Sequence, residues 1–129
     1  MATIFSRIIQ GEIPCYKIAE DDQFFAFLDI NPLSKGHTLV VPKHETDYIF
    51  NIEDEELGSM MVFAKKVAQK IEKAIPCKRI AVAVIGLEVP HAHIHLVPIT
   101  CEGDLDFKKE HLKLTQEEFL EVQKAIVEA

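Results

Sequence analysis

The sequence predicts an α+β domain on a mostly antiparallel sheet. Three observations carry that prediction: short apolar runs bounded by turn residues, one long stretch of helical periodicity, and a capping box that opens a separate C-terminal helix. In chain order, Thr3 caps a short helix that runs through Gln10, with Gly11 as its stop and Pro14 beyond. Tyr16–Glu20 and Phe24–Leu28 read as strands joined by a tight turn at Asp21-Asp22. The segment 29–36 is a loop dense in turn residues, and Thr38–Val41 is an apolar strand closed by Pro42.

Leu57, Met60, Met61, Ala64, Val67, Ala68 and Ile71 recur at spacings of three and four, the stripe of a long central helix. Asn51 is its candidate N-cap, and Glu53–Glu56 suit the positive end of its dipole. Pro76 ends the region. Arg79–Ile85 is a β-branched strand, Gly86–Pro90 a loop, and His91–Ile99 another strand. After Thr100 the chain turns charged and loses periodicity until Thr115 and Glu118 form the capping box of a last helix, whose apolar stripe is Phe119, Val122 and Ile126.

A chain of 129 residues fits one domain spanning 1–129 and can bury a core without a disulfide or metal staple. Lys plus Arg is 14 and Asp plus Glu is 21, so the net charge is 14 − 21 = −7. An acidic surface disfavours nucleic-acid backbones and anionic lipid headgroups as partners, but local dipoles can still hold a small anion. Cys15, Cys77 and Cys101 are odd in number and form no Cys-x-x-Cys pair, which argues against a disulfide framework or zinc ribbon. No basic region followed by an apolar run opens the chain, and no apolar stretch nears the ~20 residues that span a bilayer, so a cytoplasmic protein is expected.

The chemistry concentrates in His91-Ala92-His93-Ile94-His95-Leu96-Val97. In a strand, alternate side chains share a face, so the three imidazoles face one way while Ala92, Ile94 and Leu96 face a core. Same-face neighbours stand roughly 6.5–7 Å apart, and the middle ring has one on each side. Imidazole serves as nucleophile, proton donor and hydrogen-bond donor near neutrality, which suits attack on an anionic phosphoester. The rival reading is a His-x-His zinc site with a third ligand from His44, His37 or Glu88. No carboxylate cluster for magnesium is evident, and no metal or cofactor is expected. Phosphate-binding glycine loops and the Gly-x-Ser-x-Gly elbow are absent.

The run His91–Val97 resembles the histidine-triad signature, three histidines alternating with apolar residues. Similar blocks precede it in the right order: Thr3–Ile9 with Gly11–Pro14, Glu20–Asp22 through Ala26–Pro32, and Gly36–Lys43. The resemblance covers roughly residues 3–99 and is closest to the Hint branch of nucleoside phosphoramidases and nucleotide hydrolases. It implies a homodimer whose two sheets join, built on the Leu57–Ile71 helix and the Arg79–Val84 strand. It implies a covalent nucleotidyl intermediate on the middle histidine, His93, in the cleavage of a purine nucleotide conjugate at its α-phosphorus. His95 then matches the histidine at the α-phosphate, His91 a supporting partner and His37 a further histidine beside the triad. Asp29 matches the acid that holds the ribose hydroxyls, and Ile4, Phe5, Ile8, Phe27 and Ile30 the apolar pocket around the base.

Three departures stand out. Many relatives carry Gly-Gln-Ser or Gly-Gln-Thr before the triad, to contact the phosphate or leaving group. Here Gly86-Leu87-Glu88-Val89-Pro90 takes that place, so Gly86 and Glu88 are the candidate contacts. The loop before it is shortened, and the family's phosphate-contacting asparagine has no match. Thr3 and Ser6 replace the Cys-x-x-Cys with which some bacterial members bind zinc. Residues 100–129 form a variable tail on which the resemblance is silent. The alternative to an enzyme is a nucleotide-binding or interaction protein that keeps the pocket without turnover.

Overall fold

The computed structural model describes residues 2–129. Five antiparallel strands form one sheet in the order β1-β2-β3-β5-β4: β1 Lys17–Glu20, β2 Phe24–Leu28, β3 Thr38–Pro42, β4 Arg79–Ala83 and β5 Ile94–Ile99. Helices α1 (Ile4–Ile9), α2 (Asp54–Ala74) and α3 (Gln116–Val127) flank it. This is the expected α+β class, with the long helix central in the chain.

Helices α1 and α3 start on side-chain caps, whereas the Glu53 side chain makes no cap bond at the start of α2. Thr3 Oγ1 accepts from Ser6 N–H at 3.1 Å and caps α1. The Thr115–Glu118 box is reciprocal, at 3.1 and 2.9 Å, and opens α3. Asn51 does not cap α2. It closes a 3-10 turn, Ile49–Asn51, and the chain re-extends through Ile52 and Glu53 before the helix begins. Burial of Ile49 and Ile52 explains the detour, because both anchor in the core.

One sheet face packs against α2 and α3 through Ala26, Val40, Ile94 and Leu96, met by Met60, Ala64, Val67 and Ile71. The other carries a smaller cluster of Phe25, Phe27, Leu39 and Val41, covered by Phe5 of α1. β2 and β3 are therefore buried at every position, which is why their sequences run apolar without alternation. Gly36 turns into β3 at φ +95°, where a Cβ would sit 3.0 Å from Ile75. Among the described residues, no helix is long and apolar enough to cross a membrane.

The strand ends differ from expectation. β4 stops at Ala83, because exposed Val84 and Ile85 already enter the loop. β1 begins at Lys17, and β3 extends to Pro42, paired with Phe24. β5 begins at Ile94, so His91 and His93 precede the ladder. Their segment is held otherwise: Ala92 N–H donates to Thr46 O at 2.6 Å, and the Pro42 carbonyl binds the His91 ring.

Candidate active site

Sheet register places the first site residue. Phe27 pairs with Leu39, and Leu39 with His95, so one row across β2, β3 and β5 puts the His95 ring on the face of the smaller cluster. The next row, Ala26–Val40–Ile94, lies on the helix side. The period of two persists upstream of the ladder: Ala92 enters the helix-side core, while the rings of His93 and His95 meet edge to face at 4.9 Å. Phe5 stands edge-on to both His93, at 5.0 Å, and His91, at 5.7 Å.

Hydrogen-bond partners fix the neutral tautomers of His37, His95 and His93. Leu33 N–H donates to His37 Nδ1 at 3.0 Å, so neutral His37 carries its proton on Nε2. That Nε2–H donates to His95 Nδ1 at 3.0 Å, which leaves the His95 proton on Nε2. The His91 carbonyl, 2.8 Å away, accepts from His93 Nδ1–H, so His93 Nε2 keeps its lone pair. Among the described residues no buried side-chain nitrogen or oxygen lacks a partner. Among the described residues the Nε2 atoms of His93 and His95 have no partner, and hence both are open to the cavity their residues line. A lone pair and an N–H donor thus stand side by side.

Burial keeps these rings neutral. Desolvation lowers His37 to about 3, with the neighbouring His95 adding to it. Desolvation, then the field of His93, lowers His95 to about 4. His91 and His93 are also lowered, chiefly by burial. Asp29 is raised by desolvation against its bond from Asn31 N–H at 2.8 Å.

Asp29, His37 and His95 each offer one ligand atom within 4.8 Å of the others, enough to ask whether a metal fits. The proton on His37 Nε2 occupies the place of such an ion. Removing it would force a proton onto Nδ1, against the Leu33 N–H. The donor set is complete as a hydrogen-bonded relay, and the pairing of His37 with Asp29, at 3.6 Å, is the weaker contact. His44 lies elsewhere, bonded to Glu56 and Thr46.

A cavity of about 500 Å³ opens over the rings, well within the range of small-molecule sites. Of the residues singled out in the sequence, His93, His95, Asp29, Phe5, Gly86 and Glu88 line it. His91 and His37 are buried behind it, at 0% and 1% exposure. Ile8 and Phe27 back Phe5 in the smaller cluster. Ile4 and Ile30 are exposed, at 49% and 68%, and do not line the cavity. Gly86 takes φ +72°, a conformation that glycine alone adopts freely, and turns the chain so that Leu87, Glu88 and Val89 border the opening.

The tail completes the mouth, and sequence reasoning missed it. Phe107 stands edge-on to His95 at 4.8 Å, and His111 borders the same cavity. His111 Nδ1 donates to the Asn31 carbonyl at 2.5 Å and Nε2 faces that of Phe107 at 3.3 Å. Two carbonyl acceptors favour the doubly protonated ring and raise its pKa, the Asn31 bond most. Leu112 N–H ties the same segment to the Pro32 carbonyl at 2.9 Å.

Fold and site have the form of the HIT domain, whose family description matches residues 10–100. This chain belongs to the HIT family. An uncharacterized HIT-like protein of Borreliella burgdorferi is 36% identical over 131 residues, covering 95% of this chain and 94% of its own. The adenosine 5'-monophosphoramidase hnt1 of Schizosaccharomyces pombe is 38% identical over 103 residues, 76% of this chain and 74% of that protein. The crystal structure of a hypothetical histidine triad nucleotide-binding protein from Sulfolobus tokodaii matches with a TM-score of 0.85 at 30% identity, over 96% of this chain and 89% of that one.

Proposed function

We propose that this protein hydrolyses a purine nucleotide conjugate at its α-phosphorus, an adenosine phosphoramidate or a related ester, with His93 as the nucleophile. The observation that carries the reading is the hydrogen bonding of the rings: His93 Nδ1 bonds the His91 carbonyl and His95 Nδ1 bonds His37, which leaves a lone pair on His93 Nε2 beside the Nε2–H of His95 at one cavity. Nucleophilic attack forms a P–Nε2 bond and breaks the bond to the leaving group, which departs with the electron pair and takes a proton from solvent. Water then attacks phosphorus, loses a proton to solvent, and the electron pair of the P–N bond returns to Nε2. His95 Nε2–H donates to a phosphoryl oxygen as charge grows there, and His37 holds that ring in register.

Asp29 at the cavity wall suits a pair of ribose hydroxyls, and Phe5 offers an apolar surface for the base, backed by Phe27 and Ile8. The 38% identity to a named phosphoramidase supports the substrate class. AMP release from adenosine 5'-phosphoramidate tests the reading. Turnover by the wild type and loss by several orders of magnitude in His93→Ala are expected, since an absent nucleophile has no substitute. A variant that keeps more than about a tenth of wild-type kcat would remove His93 from the role, because that is only ~1.4 kcal/mol of barrier.

A homodimer is part of the proposal. β4 is an edge strand with Val82 exposed, and a groove beside it is lined by Met61, Val62, Ala68 and Leu96. An unpaired edge next to an apolar helix face suits a two-fold partner that pairs β4 with its own copy.

A further inference from the structure

Thr3 and Glu45 lie outside the cavity, yet a bond chain runs from them to the His93 ring. Glu45 Oε1 accepts from Thr3 N–H at 2.8 Å and from Ser6 Oγ–H at 2.6 Å. Since the Ser6 proton goes to the carboxylate, Thr3 Oγ1 is left to accept from Ser6 N–H and to donate its own proton. Two acceptors compete for that proton: His91 Nδ1 at 2.7 Å and Ser6 Oγ at 3.3 Å. The shorter bond to the more basic atom takes it. The other edge of His91 confirms the direction, because Nε2 lies 2.8 Å from the Pro42 carbonyl, which only accepts. His91 is thus the neutral Nε2–H form, and its carbonyl holds His93 Nδ1–H.

We propose that Thr3, anchored by Glu45, is a positioning residue for the nucleophile: its hydroxyl locks the ring and tautomer of His91, whose carbonyl in turn fixes the Nδ1–H form of His93. The inference rests on the proposed hydrolysis for its kinetic consequence and on hydrogen-bond geometry alone for the proton states. His91 is fully buried, and the groups acting on it are few. Burial, the largest influence, opposes its charged form, as does His44, whereas the Pro42 carbonyl and the Glu45 carboxylate favour it. His93 follows it in the chain and feels its charge. An imidazolium at His91 would therefore draw electron density from the attacking ring and disturb the segment that aims it.

Thr3 also caps α1, so the test separates the two roles. Aspartate caps a helix as well as threonine does, but its carboxylate offers His91 an acceptor where the hydroxyl offered a proton. Nitrogen-15 NMR of the imidazoles at pH 7 reads the proton states, and hydrolysis of adenosine 5'-phosphoramidate reads kcat and KM. In the wild type and in Thr3→Ser, His91 is expected as neutral Nε2–H and His93 as Nδ1–H. In Thr3→Asp, His91 is expected doubly protonated, with kcat down at least tenfold and KM within twofold. Thr3→Asp with wild-type His91 resonances, or with kcat within twofold of the wild type, overturns the inference. A wild type without turnover refutes the hydrolase reading instead, and the NMR comparison then decides whether Thr3 sets the proton states.

Discussion

Lowering the pH from 7 to 5 is expected to weaken the fold through histidines that stay neutral inside it. His37 and His95 are lowered from 6.5 to about 3 and about 4. In that pH window the unfolded chain binds a proton at each position and the folded chain does not, so stability falls as pH falls below 6.5. A pH of 5 lies about 1.5 units below the unfolded value of 6.5 and still above both folded values, so at about 1.36 kcal/mol per unit the loss is about 2 kcal/mol for each residue and about 4 kcal/mol for the pair. His91 and His93 are lowered too and act in the same direction. The carboxylates held low, such as Glu20 and Glu118, weaken the fold only below their ordinary value of 4.5, outside this window. His111, raised in the fold, adds stability that is full below 6.5 and lost at higher pH, an effect that opposes the others. Urea unfolding at pH 7, 6 and 5 measures the difference. An unfolding free energy that changes by less than about 1 kcal/mol from pH 7 to 5 would refute the neutral, buried relay.

Glu88 and His111 border one cavity mouth, and the Glu88 charge is among the influences that raise His111, after its bonds to the Asn31 and Phe107 carbonyls and the Asp29 charge. Glu88→Gln removes the anion and keeps the shape. It is expected to raise kcat/KM for a dinucleoside polyphosphate relative to a phosphoramidate of a cationic amine; an unchanged ratio would leave Glu88 without a part in leaving-group choice. Because Leu33 N–H holds His37 Nδ1 and His37 Nε2–H is directed at His95 Nδ1, exhaustive EDTA treatment is expected to leave turnover unchanged, and loss restored by zinc would contradict the relay. Light scattering at micromolar concentration is expected to give about twice the 14.6 kDa chain mass, and a monomer mass would count against β4 as a dimer edge.

Features decided within a few residues were legible in the sequence. The caps Thr3 and Thr115 and the Met60–Ala64–Val67–Ile71 stripe appear where spacing puts them. Alternation in His91–Leu96 also set the rings and the core residues on opposite faces, although pairing begins only at Ile94. Asn51 failed as a cap because core burial of Ile49 and Ile52 outweighed a local preference. Long-range bonds left no signal: Thr3 reaches His91 across 88 positions, and His111 reaches Asn31 across 80. The tail reads as charged and aperiodic, and its part in the site rests on Phe107 and His111 meeting residues far away in sequence. Met61 shared the periodicity of α2 yet faces the groove by β4, since a stripe that wide covers more than the core.

The central claim is that His93 Nε2 becomes bonded to phosphorus. Rapid quenching of the wild type during turnover of an adenosine phosphoramidate, followed by mass spectrometry at neutral pH, tests it directly. One added adenylyl group is expected, mapping to His93 and absent from His93→Ala. Turnover with no adduct in the wild type, or an adduct on any other residue, would contradict it.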